Sequence, residues 1–120
     1  MSKRGPALSP NELSELLLSN LNDGDVEGIV SIYSKDAILV LPDGSKAVGQ
    51  DAIRAFYAEL CKDRPRFAPG EQSPPLVNGN VALTSTVLTN GTVTVEVAAR
   101  QEDGTWLWII DHPAIGFTAS

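Results

Sequence analysis

The chain has 120 residues, a net charge of −6, 42% hydrophobic and 20% charged residues, which is the balance of an ordinary globular domain with room for one core. The acidic total argues against a nucleic-acid surface, which needs clustered Lys and Arg. No apolar run reaches the roughly 18 to 20 residues of a membrane span.

The first eight residues are expected to form a loose arm, and residues 9–120 a single domain. The arm carries Lys3 and Arg4 with no apolar block behind them, unlike a secretory leader, so a cytoplasmic location is expected. The single cysteine, Cys61, excludes an intrachain disulfide and reads as a half-buried apolar residue.

In chain order, Ser9, Pro10 and Glu12 have the spacing of a helix start with a capping box. Leu13, Leu16, Leu17 and Leu21 make its apolar stripe, Gly24 stops it, and Asp25 caps the next helix. The acidic pair Asp23 and Asp25 lacks further ligands at a workable spacing, so no metal is expected. Val26, Ile29, Val30 and Tyr33 recur at helical spacing, giving a second helix to about Tyr33. A short strand follows over Ile38 to Leu41, and Lys46 to Val48 return beside it across Asp43-Gly44. Ile53, Phe56, Tyr57 and Leu60 mark a third helix behind Gly49.

The remainder reads as strands. Pro69-Gly70 and Pro74-Pro75 interrupt an extended stretch over 67–77, which suits an irregular or edge strand. Asn78-Gly79, Asn90-Gly91 and Asp103-Gly104 are hairpin signals between Val- and Thr-rich runs. They predict an antiparallel meander over 67–77, 81–89, 92–101 and 105–112, extending toward Phe117. Simple alternation puts Val93, Val95, Val97 and Ala99 on one face and Thr92, Thr94, Glu96 and Arg100 on the other. In the last strand it groups Trp106, Trp108, Ile110 and His112 against Leu107, Ile109 and Asp111. That strand is apolar on both faces, which predicts a second copy packed on the outer side of the sheet.

The phrases GDVEGIVSIYSKDAILVLP, GQDAIRAFYAEL and DGTWLWIIDHP resemble the nuclear-transport-factor-2-like superfamily, in its SnoaL-like and ketosteroid-isomerase-like branch. The resemblance covers most of residues 13–113, with 62–80 poorly matched. It implies an α+β fold: a cone-shaped barrel with three N-terminal helices packed on a strongly curved antiparallel sheet, a pocket between them, and dimers through the sheet. The scaffold hosts isomerases, cyclases, hydratases, hydrolases and ligand binders alike.

Ketosteroid isomerases of this branch place a base before the proline that ends the first strand, which is Leu41 here. Their phenolic donor falls at Leu17, and the partner acid near Val97 or Ala98. A proton abstraction needs a base within reach, so that reaction is argued against, while the aromatic positions Tyr33, Phe56 and Tyr57 match.

The catalytic candidates are His112, Asp111 and Tyr57: a base near neutral pH, a neighbouring carboxylate and a phenol. Asp111 and His112 are adjacent, so a strand points them to opposite faces. The pocket candidates are Leu17, Tyr33, Leu41, Phe56, Val97 and Trp108. No zinc spacing, phosphate loop or dinucleotide fingerprint occurs, and no cofactor is expected. The sequence thus predicts a domain binding a small hydrophobic or carbonyl-containing molecule, either with cofactor-independent acid/base catalysis or as a non-catalytic ligand- or partner-binding module. Neither nucleic acid nor membrane is expected as a partner, and a homodimer through the sheet is.

Overall fold

The computed structural model describes residues 5–114. The first four residues of the expected arm, and the extension toward Phe117, lie outside that range. Within it, Ala7 is buried and bridges Trp106.

Helix α1 (Glu12–Asp23) starts later than the sequence suggests, because residues 9–11 form a turn before it. The capping-box side chains still meet: the Glu12 carboxylate accepts from the Leu8 N–H at 2.9 Å and the Ser9 hydroxyl at 3.4 Å. Gly24 ends the helix at φ 68°, a left-handed conformation that only glycine adopts freely. Asp25 caps α2 (Val26–Val30) by accepting from the Gly28 N–H at 2.9 Å.

The second helix stops after five residues. Tyr33, assigned to it by spacing, instead opens strand β1 (Tyr33–Val40), which pairs antiparallel with β2 (Lys46–Val48). Helix α3 (Gln50–Cys61) follows. The proline-broken stretch yields two short strands, β3 (Glu71–Gln72) and β4 (Leu76–Asn78), both antiparallel to β5 (Val81–Val87). Strands β6 (Val93–Arg100) and β7 (Trp106–His112) complete the meander, and the glycines of its three turns sit at φ 62°, 87° and 86°.

The sheet corrects the expected architecture. Among the described residues its seven strands run β2-β1-β7-β6-β5-β3, with β4 also on β5, so the order has two ends and no pairing there joins them. It is an open sheet, neither closed into a cone-shaped barrel nor strongly curved. Nor is it wholly antiparallel, because β1 runs parallel to β7. The terminal strands β2 and β3 are three and two residues long. Such short ladders supply few hydrogen bonds with which to close a circuit.

The core lies between the helices and one face of this sheet. Leu13 and Leu16 of α1, Ile29 of α2, and Ile53 and Tyr57 of α3 pack with Tyr33, Leu39, Ala98 and Trp108. On the opposite face Val81, Leu83, Val87, Val93 and Ile110 are exposed. No helix among the described residues is long and apolar enough to cross a membrane.

Candidate functional site

The inner face is shaped by one irregularity in β7. Val97 pairs with Ile110, but the next residue, Ala98, pairs with Trp108. Ile109 is therefore an extra residue, a bulge that resets the alternation of the strand. Trp106, Trp108 and Asp111 all turn inward and are buried, whereas Ile110 is exposed. The grouping read from simple alternation, Trp108 with Ile110 and His112, does not survive this reset.

Asp111 arrives in a polar cluster assembled from four strands and a helix. Its register partner is Glu96 on β6, whose own partner is Thr84 on β5. The Thr84 hydroxyl donates to Glu96 Oε1 at 2.7 Å. The Tyr33 hydroxyl donates to Asp111 Oδ2 at 2.5 Å, and the Tyr33 and Tyr57 hydroxyls lie 2.8 Å apart. Since Tyr33 has one proton and gives it to Asp111, Tyr57 donates to Tyr33 when the carboxylate is ionised. The result is a chain, Tyr57 to Tyr33 to Asp111, along which polarity reverses if Asp111 takes up a proton.

The rings are held by packing. Tyr33 sits 5.5 Å from Trp108 and 6.1 Å from Tyr57, and Phe56 meets Tyr57 edge-on at 5.1 Å. The amide of Gln50 donates to the Tyr33 carbonyl at 2.9 Å, tying the start of α3 to β1.

Burial dominates the electrostatics. It raises the Asp111 pKa to about 7, with the nearby Glu96 charge adding to the rise and the Tyr33 hydrogen bond opposing it. Glu96 is also raised by burial, against the hydrogen bonds of Thr94 and Thr84. Both phenols are held above their ordinary range, first by burial and then by the Asp111 charge, so they stay protonated.

Of the catalytic candidates, Asp111 and Tyr57 are brought together through Tyr33. His112 is not: it follows Asp111 on the strand, pairs with Val95 of the outer face, and its Nδ1 is buried without a hydrogen-bond partner. Of the pocket candidates, Tyr33 and Trp108 are buried inside, while Leu17, Leu41 and Phe56 are half-buried against the core. Val97 belongs to the outer face with its register partner Ile110, because Glu96 and Ala98 on either side of it turn inward.

Alternation along β6 leaves Glu96 open between a pocket-facing, an interfacial and a solvated position, and it does not single out Thr84. The available signal was a Glu sharing its face with Ala98, opposite the valines. The structure makes this the buried face of β6.

A cavity of about 390 Å³ opens elsewhere, between Pro6 and Ala7, Leu16 and Asn20 of α1, and Trp106 at the start of β7. Asp111, Tyr33 and Tyr57 do not line it. Among the described residues, no three His, Cys, Asp or Glu side chains converge as a metal centre requires.

Residues 15–112 match the model of the SnoaL-like domain, and the chain belongs to that family. No curated protein matches it. Among solved structures it is similar to a domain of unknown function with a cystatin-like fold from Nostoc punctiforme, at 18% identity and a TM-score of 0.72, covering 89% of this chain and 75% of that one. It is also similar to a putative calcium/calmodulin-dependent protein kinase type II association domain from Thiobacillus denitrificans, at 14% identity, TM-score 0.70, and coverage of 92% and 96%. A ketosteroid isomerase-like protein from Erwinia carotovora matches at 17% identity and TM-score 0.66, with 85% and 89% covered. Likeness at these identities establishes the shared fold alone.

Proposed function

We propose that this SnoaL-like domain binds a small, largely apolar molecule whose carbonyl or hydroxyl oxygen is met by Tyr57. In this reading Asp111 supplies or takes up a proton through Tyr33. The observation that carries it is the buried chain of two phenols ending on a carboxyl group with a pKa of about 7. A group with that pKa is matched to proton transfer near neutrality, and displaced pKa values in polar clusters favour functional sites. Leu17, Leu41, Phe56 and Leu60 are the half-buried apolar side chains packed on this core. Chemistry of this kind is cofactor-independent acid/base work on a carbonyl compound, of the isomerase, cyclase or hydratase type. It is not the ketosteroid isomerase reaction, since Leu17 and Leu41 replace its donor and base.

We also propose that the domain pairs with a second copy through the outer sheet face. Leu76, Val81, Leu83, Val87, Val93 and Ile110 are exposed on adjacent strands there, and contiguous apolar surface of this sort favours association.

The rival reading is a non-catalytic binding module. It is favoured by the burial of Tyr57 and Asp111, only 4% and 3% exposed, and by the placement of the 390 Å³ cavity away from them. Titrating the protein with naphthaldehyde while following Trp fluorescence tests whether a ligand meets Tyr57. Binding that weakens about tenfold in Tyr57→Phe, the worth of about one hydrogen bond, supports the proposed site. Binding indifferent to Tyr57→Phe and Asp111→Asn refutes it. Hydrogen exchange next to the carbonyl of a small ketone in heavy water, lost in Asp111→Asn, tests the catalytic step.

A further inference from the structure

Glu96 and Asp111 are register partners on the inner face of β6 and β7, and each is 3% exposed. Side chains so paired stand about 5 Å apart at Cβ. Two carboxyl groups this close and this dry do not both ionise, because the second charge meets both burial and the first.

Among the described residues, the side chains that hydrogen-bond the pair are uncharged hydroxyls. Thr84 faces Glu96 from β5 and Thr94 bonds it from β6 itself, Tyr33 faces Asp111 from β1, and Tyr57 of α3 stands behind Tyr33. The ion pairs of Arg54 and Lys62 engage Glu27, Asp51 and Glu59 at the surface instead.

The same inner face also carries two buried polar groups without hydrogen-bond partners. Trp108 Nε1, in a side chain 1% exposed, lies at the inward position before Asp111 on β7. Thr86 Oγ1, 7% exposed, lies at the inward position after Thr84 on β5. An indole N–H only donates, and unsatisfied buried donors are costly enough that each calls for a partner. An oxygen on a ligand would accept from them.

We propose that Glu96 and Asp111 hold one proton between them, and that this pair with its idle donors makes the site select neutral, oxygen-bearing ligands over carboxylates. A carbonyl or hydroxyl accepts from the shared proton or the idle donors at no cost in charge. A carboxylate would bring a further negative charge into a dry site that already holds one. The selectivity deepens the ligand-binding reading above and rests on it; the shared proton does not.

The test has two arms. Isotope-edited carboxyl NMR across the acid-to-neutral range follows Asp111 and Glu96 directly. The expected result is a coupled titration, with the Asp111 step falling by about one pH unit or more in Glu96→Gln. Independent titration of the two, or an Asp111 step unmoved in Glu96→Gln, overturns the shared proton. Glu96→Gln keeps the shape and the acceptor for Thr84, and should it fail to fold, the wild-type titration decides alone. In the second arm, naphthaldehyde is expected to bind at least about tenfold more tightly than naphthoate near neutral pH. Equal binding overturns the selectivity. Binding of neither probe, with the coupled titration intact, removes the ligand-binding reading and the selectivity with it while upholding the shared proton.

Discussion

Replacing Asp111 with asparagine is expected to stabilise the protein, and by an amount that grows with pH. The side chain keeps its shape and an oxygen that accepts from Tyr33, but loses the charge that burial penalises. In the folded chain the Asp111 pKa stands at about 7 against an ordinary 3.8. A carboxyl group raised in this way favours folding while protonated. Its contribution is complete below the unfolded value and is lost as pH rises through the folded one. A rise of about three pH units corresponds to about 4 kcal/mol lost above neutrality, a large share of the roughly 5 to 15 kcal/mol that holds a domain together. Between about pH 5 and about pH 8 the advantage of Asp111→Asn should therefore widen by about 3 kcal/mol. Urea unfolding followed by Trp fluorescence at several pH values measures it. The surface carboxylates Glu27, Asp43 and Asp103 are lowered by their partners. They support folding above their unfolded values and lose that support only as pH falls through their folded ones, a more acidic window than this. Parallel stability curves for wild type and Asp111→Asn across the neutral range would refute the buried-carboxyl account.

Three further outcomes follow from packing. Gly28→Ala should destabilise by about 1 to 3 kcal/mol, because a Cβ there would lie 2.7 Å from both Asn20 Oδ1 and Asp25 Oδ2; a chemical denaturation midpoint equal to wild type contradicts this. Asp25→Ala removes the acceptor for the Gly28 N–H and should cost about 1 kcal/mol of stability, as N-cap losses do. Leu83→Asp puts a charge in the middle of the exposed aliphatic face and should shift sedimentation from dimer to monomer with the fold retained by circular dichroism. An unchanged sedimentation coefficient, or a monomeric wild type, counts against pairing through the sheet.

Local signals in the chain were legible to the degree that they act locally. Gly24 stops α1 and Asp25 caps α2 because a left-handed residue and a short carboxylate do the same wherever they occur. The three turn dipeptides of the meander fall where the chain reverses between β4 and β5, β5 and β6, and β6 and β7. Family membership was equally legible, since the matching phrases span the helices and the last strand. Tyr33 was not. Its spacing from Val26, Ile29 and Val30 suits a helix, but pairing with Trp108 on a distant strand draws it into β1, where tertiary contact overrides periodicity.

The sequence by itself determined the stop of α1 at Gly24, the Asp25 cap of α2, the hairpin turns, the α+β class and the family, because each is written in neighbouring residues. Only the tertiary structure decided that the sheet is open, that β1 lies parallel to β7, and that Asp111 and Glu96 meet Tyr33 and Tyr57 inside. The bulge at Ile109 is the physical reason for the last of these. It arises from how β7 registers on β6, and it turns Asp111 inward beside Trp108 and sends His112 to the outer face.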